Sequence, residues 1–477
     1  MGQAINAQHF RHEDFERFRV RLKHETNLLH DWVEADRFDR SAPMAGLELE
    51  AWLIHPDGRP AARNEDYLQA VNRVDVVTEL ARFNVEINAA PQPVTDAGLE
   101  LLHAQLLDTW SYCRSVAQTL GLDLVSIGIL PTLEDRDLCP ANMSNSDRYR
   151  ALNEQVLRQR HGQLIELEIA GIETLRTAHR DVMLEAGTTS LQGHLQVTPE
   201  TAVRCFNASI IASAATVALS ANSPYLFGRR LWEETRIPLF EQAVPVGTHD
   251  AGIRECLPRV SFGTGYASWS LVEVFRKNTE RFPIMLPIVL EQDADRLAHL
   301  RLQNGTIWRW NRPLIGFNDQ GTPHLRIEHR VMAAGPTVAD MMANLVFYYG
   351  LVAALAAESI PPEACLPFAA ARDNFYAAAR QGLNASVMSA DGSQKQLGQQ
   401  IVAELLPAAH LGLQLLGASG EYTSRALEII EQRARSGRTG SHWQSAFAER
   451  HGHDRELLTL EYAARQRTET PVHEWTL

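Results

Sequence analysis

The chain has little of what marks a secreted, nucleic-acid-binding or P-loop protein. Among its 477 residues are five cysteines, Cys113, Cys139, Cys205, Cys256 and Cys365, widely spaced and without a Cys-x-x-Cys pair. That argues against a disulfide framework or a zinc ribbon and points to a reducing, cytoplasmic setting. Cys205 and Cys365 lie among apolar residues and are expected to be buried packing residues. Lys and Arg total 45 against 58 Asp and Glu, a formal net charge of -13, and no basic run stands out. A nucleic-acid partner is therefore not expected, because neutralising phosphates takes clustered positive charge. No Gly-Lys pair occurs, so there is no P-loop. Gly263-Thr264-Gly265 lacks the third glycine of a dinucleotide fingerprint, and His24-Glu25 is followed by His30 at the wrong spacing for a zinc-protease helix. His9 to Asp14 carries no apolar signal core. Of two apolar stretches, Ala208–Leu219 is too short to cross a bilayer and Met341–Ala357 is interrupted by Asn344 and Gly350. Both read as buried helices, and no membrane partner is expected.

Hydrophobic residues at 45% and charged residues at 22% suit a soluble globular protein, and the length supports a large core. Residues 10–35 have helical spacing and many charges, which predicts an exposed leading helix. From about residue 46, period-2 strands alternate with helices. Glu100 to Leu120 reads as an amphipathic helix, Ser126 to Pro131 as a short strand, and Cys139 to Asp147 as a loop rich in Asn, Ser and Asp. Thr337 is placed to cap a helix, with Asp340 completing the cap. After about residue 360 the chain reads as helical. The class is α+β, with a mixed unit over residues 1–360 and a helical C-terminal portion, 361–477, packed on it. Ser441-His442-Trp443 and the ending Pro471 to Trp475 read as helical packing or as a contact in a homo-oligomer.

Four strands share one pattern. Side chains alternate between the faces of a strand. In Leu47 to Leu53, the polar face carries Glu48 and Glu50. In Phe83 to Asn88 it carries Asn84, Glu86 and Asn88. In Ser190 to Val197 it carries Ser190, Gln192, His194 and Gln196. In His324 to Val331 it carries His324, Arg326, Glu328 and Arg330. An antiparallel sheet with one solvated side gives the same alternation. Glu, however, is a poor strand former, yet it recurs on these faces. If the strands share a sheet, Glu48, Glu50, Glu86 and Glu328 converge, and carboxylates that close need cations among them. Oxygen-rich ligands suit magnesium or manganese, which also bind substrate phosphates, and His194 can add a nitrogen. Arg326 and Arg330 on the same face are what phosphoryl transfer requires beside a metal. Thr306 to Pro313 adds Arg309, Arg312, Trp308 and Trp310, which suit phosphate contacts or stacking as well as they suit a core strand.

Gly46-Leu47-Glu48-Leu49-Glu50 resembles the Gly-x-Glu-x-Glu strand of glutamate–cysteine ligases and related carboxylate–amine ligases. Phe83 to Asn88, Arg148-Tyr149, Gln192 to Val197, Ala221-Asn222-Ser223-Pro224 with Gly228 and Arg236, and Arg326 to Arg330 followed by Gly335-Pro336-Thr337 and Asp340 resemble further segments of that family in order, over about residues 45–350. The resemblance implies a glutamine-synthetase-like fold, a curved antiparallel sheet forming a funnel, with flanking helices. It implies an ATP- and magnesium-dependent ligase that phosphorylates a carboxylate, commonly that of glutamate, and condenses it with an amine such as cysteine. It implies metal ligands at Glu48, Glu50, Glu86 and Glu328, with His194 or Gln192 in a further ligand place, and Arg330 on the transferred phosphoryl group. Arg236, Arg312 and Arg326 are implied phosphate or carboxylate contacts. Some relatives carry two histidines two apart where this chain has His194 and Gln196. A phosphotransferase of the same fold and a non-catalytic binding protein on the same scaffold are the alternatives.

Overall fold

In the computed structural model, which describes residues 9–246 and 258–477, the four acidic and basic strands do lie in one antiparallel sheet. Its strands are β1 (Met44–Ile54), β2 (Val76–Thr78), β3 (Asn84–Pro93), β4 (Asp123–Val125), β5 (Ser190–Val197), β6 (Asn311–Phe317) and β7 (Pro323–Ala333). The order is β6-β7-β5-β1-β3-β2, and β4 pairs with the end of β1. The pairing sets Glu50 opposite Glu86, Glu48 opposite Asn88 and Gln192, His194 opposite Glu328, and Glu328 opposite Arg312. Directly opposed residues share a face, so the register alone gathers the polar residues. That face is not solvated: Glu48 is 9% exposed, Glu86 and His194 6%, Gln192 and Glu328 2%. The sheet curls around them as the wall of a funnel, the glutamine-synthetase-like arrangement expected from the sequence.

The opposite face is buried under the two apolar helices, Pro199–Ser220 and Val338–Ala357. Both are long and apolar enough to cross a membrane, and both are mostly buried within the fold. His329, one residue from Glu328, points to this side, where its ring stacks on Tyr348 at 4.1 Å and hydrogen bonds join it to Thr216 and Asn311. The Tyr349 hydroxyl donates to the carbonyls of Gly46 and His194, each at 3.2 Å, and so ties β1 and β5 to the helix behind them. Gly193 lets that helix approach, since a Cβ there would meet Leu345 Cδ2 at 2.6 Å. The Thr337 cap forms as expected, its hydroxyl accepting from the Asp340 amide at 3.0 Å.

Three expectations need correction. The strand predicted at Ser126 to Pro131 is instead Asp123–Val125. Beyond Val125 the backbone finds other partners: the Ser126 amide donates to Gln466 Oε1, and its carbonyl accepts from Gln466 Nε2 and the Tyr462 hydroxyl. A ladder has nothing left to pair with there. The leading helix, His12–Glu34, is not simply exposed; it buries Phe18, Leu22, Leu29 and Trp32, and with them Glu25, which meets His299 Nδ1 at 2.5 Å. Cys205 is buried as expected, but Cys365, in a short helix beside a turn, is exposed. Cys256 lies outside the described residues.

The C-terminal portion is largely helical, with a small hairpin of Ser386–Met388 and Gln394–Gln396. Arg433 reaches Asp340 and Asn344, each at 2.5 Å, and Gln444 Nε2 donates to Asn222 Oδ1 at 2.8 Å. Trp443 packs edge-on against Trp475 at 5.2 Å, which makes the Ser441-His442-Trp443 segment and the tail packing elements.

Candidate active site

The site is assembled on the inner face of the sheet. Glu48 on β1, His194 on β5 and Glu328 on β7 each present a ligand atom, all within 4.8 Å of one another. His194 Nε2 lies 3.2 Å from Glu48 Oε1, while its Nδ1 is buried without a hydrogen-bond partner among the described residues. Arg312 grips Glu328 with both ends of its fork, Nε at 2.7 Å and Nη2 at 2.9 Å. Arg330 Nη1 reaches the same carboxylate at 3.2 Å and also donates to Gln192 Oε1. Burial opposes ionisation of Glu328, but Arg312 and Arg330 outweigh it and bring the carboxyl down to about 2. Burial also opposes ionisation of Glu48, yet His194 and Arg330 hold it well below the carboxylate range. Both carboxylates are thus charged at neutral pH. An ionised pair beside an imidazole is the donor set that suits a hard divalent cation.

Glu50 and Glu86 belong to a second group. The Ser190 amide and Gln192 Nε2 donate to Glu50, at 2.7 and 2.9 Å. Burial pushes Glu50 up to about 7, with Arg330 pulling down and Glu86 pushing up. Burial and the charge of Glu48 raise Glu86, and Asn88 Nδ2 donates to it at 2.7 Å. Glu79, on the turn before β3, hydrogen-bonds to Glu86, and burial with the charges of Glu86 and Glu50 drives it far above the carboxylate range. Three carboxyls grouped in this way, one buried and two half-buried, are relieved by sharing a proton or a cation. Of the two candidates for a ligand place on β5, His194 joins the Glu48–Glu328 group, whereas Gln192 bridges Glu50 and Arg330.

The remaining arginines divide. Arg236 is 2% exposed and held in place: it bonds Glu234 at 3.2 Å and the carbonyls of Arg330 and Val331, and its guanidinium lies over Trp310 at 5.3 Å. Those carbonyls sit where the β7–β5 register slips between His329 and Met332. Arg236 therefore fixes the bulge that aims Arg330 into the site. Arg326 faces a cavity of about 340 Å³ with Arg148, Arg301, Arg312, Glu48 and Glu328, and its Nε is buried without a partner among the described residues. Trp310 is a core residue, 1% exposed, its Nε1 donating to Glu241 at 2.8 Å.

A second, smaller cavity of about 40 Å³ adjoins Glu50 and Arg330 and is lined also by Glu79, Asn84, Glu185 and Trp310. Neither Glu79 nor Glu185 was expected from the sequence. Glu79 follows a three-residue strand and Glu185 sits in the 3-10 turn Met183–Gly187, so no periodicity marked either one. Asn84 was placed on the correct face, but without a role.

A family model, glutamate–cysteine ligase family 2, matches residues 44–461. Comparison with curated protein sequences finds no significant match. Among solved structures, a glutamate–cysteine ligase from Francisella tularensis in complex with AMP superposes with a TM-score of 0.57 at 12% identity, over 92% of this chain and 90% of that one. A bifunctional glutathione synthetase from Pasteurella multocida aligns at a TM-score of 0.46 and 11% identity, over 92% of this chain and 55% of its own length. The first likeness establishes the fold.

Proposed function

Because the chain belongs to glutamate–cysteine ligase family 2, we propose that it is an ATP-dependent ligase joining a carboxylate, glutamate or a close analogue, to an amine through an acyl phosphate. The observation that carries this reading is the convergence of Glu48, His194 and Glu328 within 4.8 Å, with two arginines on one of the carboxylates. Glu48, His194 and Glu328 would hold one magnesium or manganese ion, and Glu50 and Glu86, with Glu79, would hold another. Bound there, the cations would neutralise phosphate charge and bring the terminal phosphate towards the acceptor carboxylate.

The residues do the rest. The larger cavity, with Arg148, Arg301 and Arg326, offers the positive charge that a polyphosphate needs in a chain of net charge -13. Arg330 borders the small cavity and also contacts Glu328, so its guanidinium can follow the phosphoryl group from donor to acceptor and stabilise its charge. Arg312 fixes the Glu328 carboxylate in one orientation. Trp310 and Phe240 line the small cavity beside Arg330 and supply an apolar wall that would limit the access of water to an acyl phosphate.

Incubation with ATP, magnesium, glutamate and a panel of amines including cysteine tests the reading. Phosphate release that needs both glutamate and an amine, with a condensed amide found by mass, is expected. A stable phosphorylated product without an amide would instead identify a phosphotransferase.

A further inference from the structure

The larger cavity has two kinds of wall. Glu48, Arg326 and Glu328 stand on the sheet, whereas Arg301, Leu302 and Asn304 stand on a short helix, Ala298–Asn304. Seven residues are too few for a helix to hold itself, so its place is set from outside. One end is tied to the sheet, where Asn304 Nδ2 donates to the carbonyl of Pro313 at 3.0 Å. The other end starts at Leu297, a branched side chain in the left-handed region at φ 47°, with no side-chain cap of its own. Backbone of that kind persists only where its surroundings impose it.

What imposes it comes from the leading helix. Glu25 Oε2 accepts from the Leu300 amide at 2.8 Å, the bond that a capping side chain makes to the third residue of a helix. Glu25 Oε1 meets His299 Nδ1 at 2.5 Å, and His299 Nε2 accepts from the Leu290 amide at 3.1 Å. An amide donor at Nε2 leaves the ring proton on Nδ1, where it is donated to Glu25. One carboxylate thus fixes the helix that carries Arg301 and, through the imidazole, the segment that carries Gln292, a further residue of the cavity wall. Glu25 and His299 are each 1% exposed, so water does not stand in for either. Phe18 packs edge-on against the same imidazole at 5.4 Å. The leading helix lies outside residues 44–461, the stretch that the family model matches.

Resting on the ligase reading above, we propose that Glu25 is a positioning residue for the nucleotide: through the Leu300 amide and His299 it holds Arg301 where the polyphosphate binds. The strand register that aligns Glu48, His194 and Glu328 does not place Arg301. Burial, Arg326 and Arg296 all work against the charge of Arg301, so a helix released at its start lets that side chain withdraw. Glu25 does not line the cavity itself, and Arg330 and the three ligand residues keep their own supports without it. Its loss therefore acts on nucleotide affinity and not on the chemical step.

The test is calorimetric titration of the full chain with the imido analogue of ATP and magnesium, beside steady-state kinetics with ATP, glutamate and hydroxylamine. Glu25→Gln keeps the size but accepts at one atom only, so it cannot serve both His299 and Leu300. It is expected to weaken analogue binding by about tenfold or more and to raise KM for ATP by the same factor, with kcat and KM for glutamate within about twofold. Glu25→Asp, which keeps the charge and withdraws it by one methylene, falls in between and carries the test if Glu25→Gln does not fold. In Arg301→Met, itself weaker for the analogue, adding Glu25→Gln changes the affinity by less than about twofold, because the two act through one guanidinium. Unchanged affinity in the Glu25 variants, or losses that add fully to that of Arg301→Met, overturns the proposal. A fall in kcat with KM for ATP unchanged overturns it as well. So does unfolding of both Glu25 variants by circular dichroism, because Glu25 would then hold the whole fold and not one helix. No binding of the analogue by the unaltered protein brings down the ligase reading itself, a failure distinct from the others.

Discussion

Replacing Glu328 by Gln removes the one charge that two buried guanidiniums share. Two effects compete. The change relieves repulsion with Glu48, but it strips Arg312 and Arg330 of a partner held at 2.7 to 3.2 Å. The second effect wins, because the carboxyl is drawn from its ordinary 4.5 to about 2, which favours its ionised form by about 3 kcal/mol. Removing one member of a buried pair carries a similar cost of about 3–5 kcal/mol. Glu328→Gln is therefore expected to lose about 3 kcal/mol in urea unfolding with a chelator present. Arg312→Met alone is expected to cost a comparable amount. The double variant is expected to recover part of it, since no orphan charge remains at Arg312. The sign with pH follows: a depressed carboxyl stabilises the fold above 4.5, and that contribution fades as pH falls through about 2. A Glu328→Gln loss under about 0.5 kcal/mol, or strict additivity with Arg312→Met, would refute the reasoning.

Other tests follow from the same geometry. Glu50 and Glu185 are both raised to about 7, so their contribution is complete below the ordinary 4.5 and is lost as pH rises through about 7. Chelator-treated protein should therefore melt lower at about pH 8 than at about pH 5, and magnesium should raise Tm more at the higher pH; equal magnesium effects at both would contradict cation binding by Glu50. His329 is pushed down to about 3 by burial, so it stays neutral in the fold; its contribution is complete above 6.5 and fades at about 1.4 kcal/mol per pH unit as pH falls towards about 3. A flatter acid limb in His329→Gln checks that slope. Gly193→Ala drives a methyl into Leu345 Cδ2 and should cost about 1–3 kcal/mol by urea titration. Truncation after residue 360 removes Arg433, Tyr462 and Gln466, which satisfy Asp340 and the Ser126 backbone, and should yield an unfolded fragment by circular dichroism.

Much of the candidate site was legible because strands translate sequence period into a face. Glu48, Glu50, Glu86, His194, Glu328 and Arg330 alternate with apolar neighbours, and once the strands pair antiparallel the register brings them together. Glu79, Glu185 and the unpaired amide of Asn84 were not legible, because turns have no period and a buried unpaired atom exists only in three dimensions. Arg236 lines the small cavity, and its hold on the slip in register beside Arg330 was not legible, because nothing local encodes that slip. The strand expected at Ser126 was lost to side chains of Tyr462 and Gln466, which lie 336 and 340 residues further along the chain. The leading helix was read from its charges, and its buried Glu25 depends on His299, a distant partner.

The central claim is that ATP activates a carboxylate in this funnel before an amine arrives. Glutamate carrying a heavy oxygen isotope in its side-chain carboxyl, supplied with ATP, magnesium and hydroxylamine, tests it directly. One labelled oxygen is expected in each released phosphate. Phosphate released without label, while the hydroxamate forms, would contradict it.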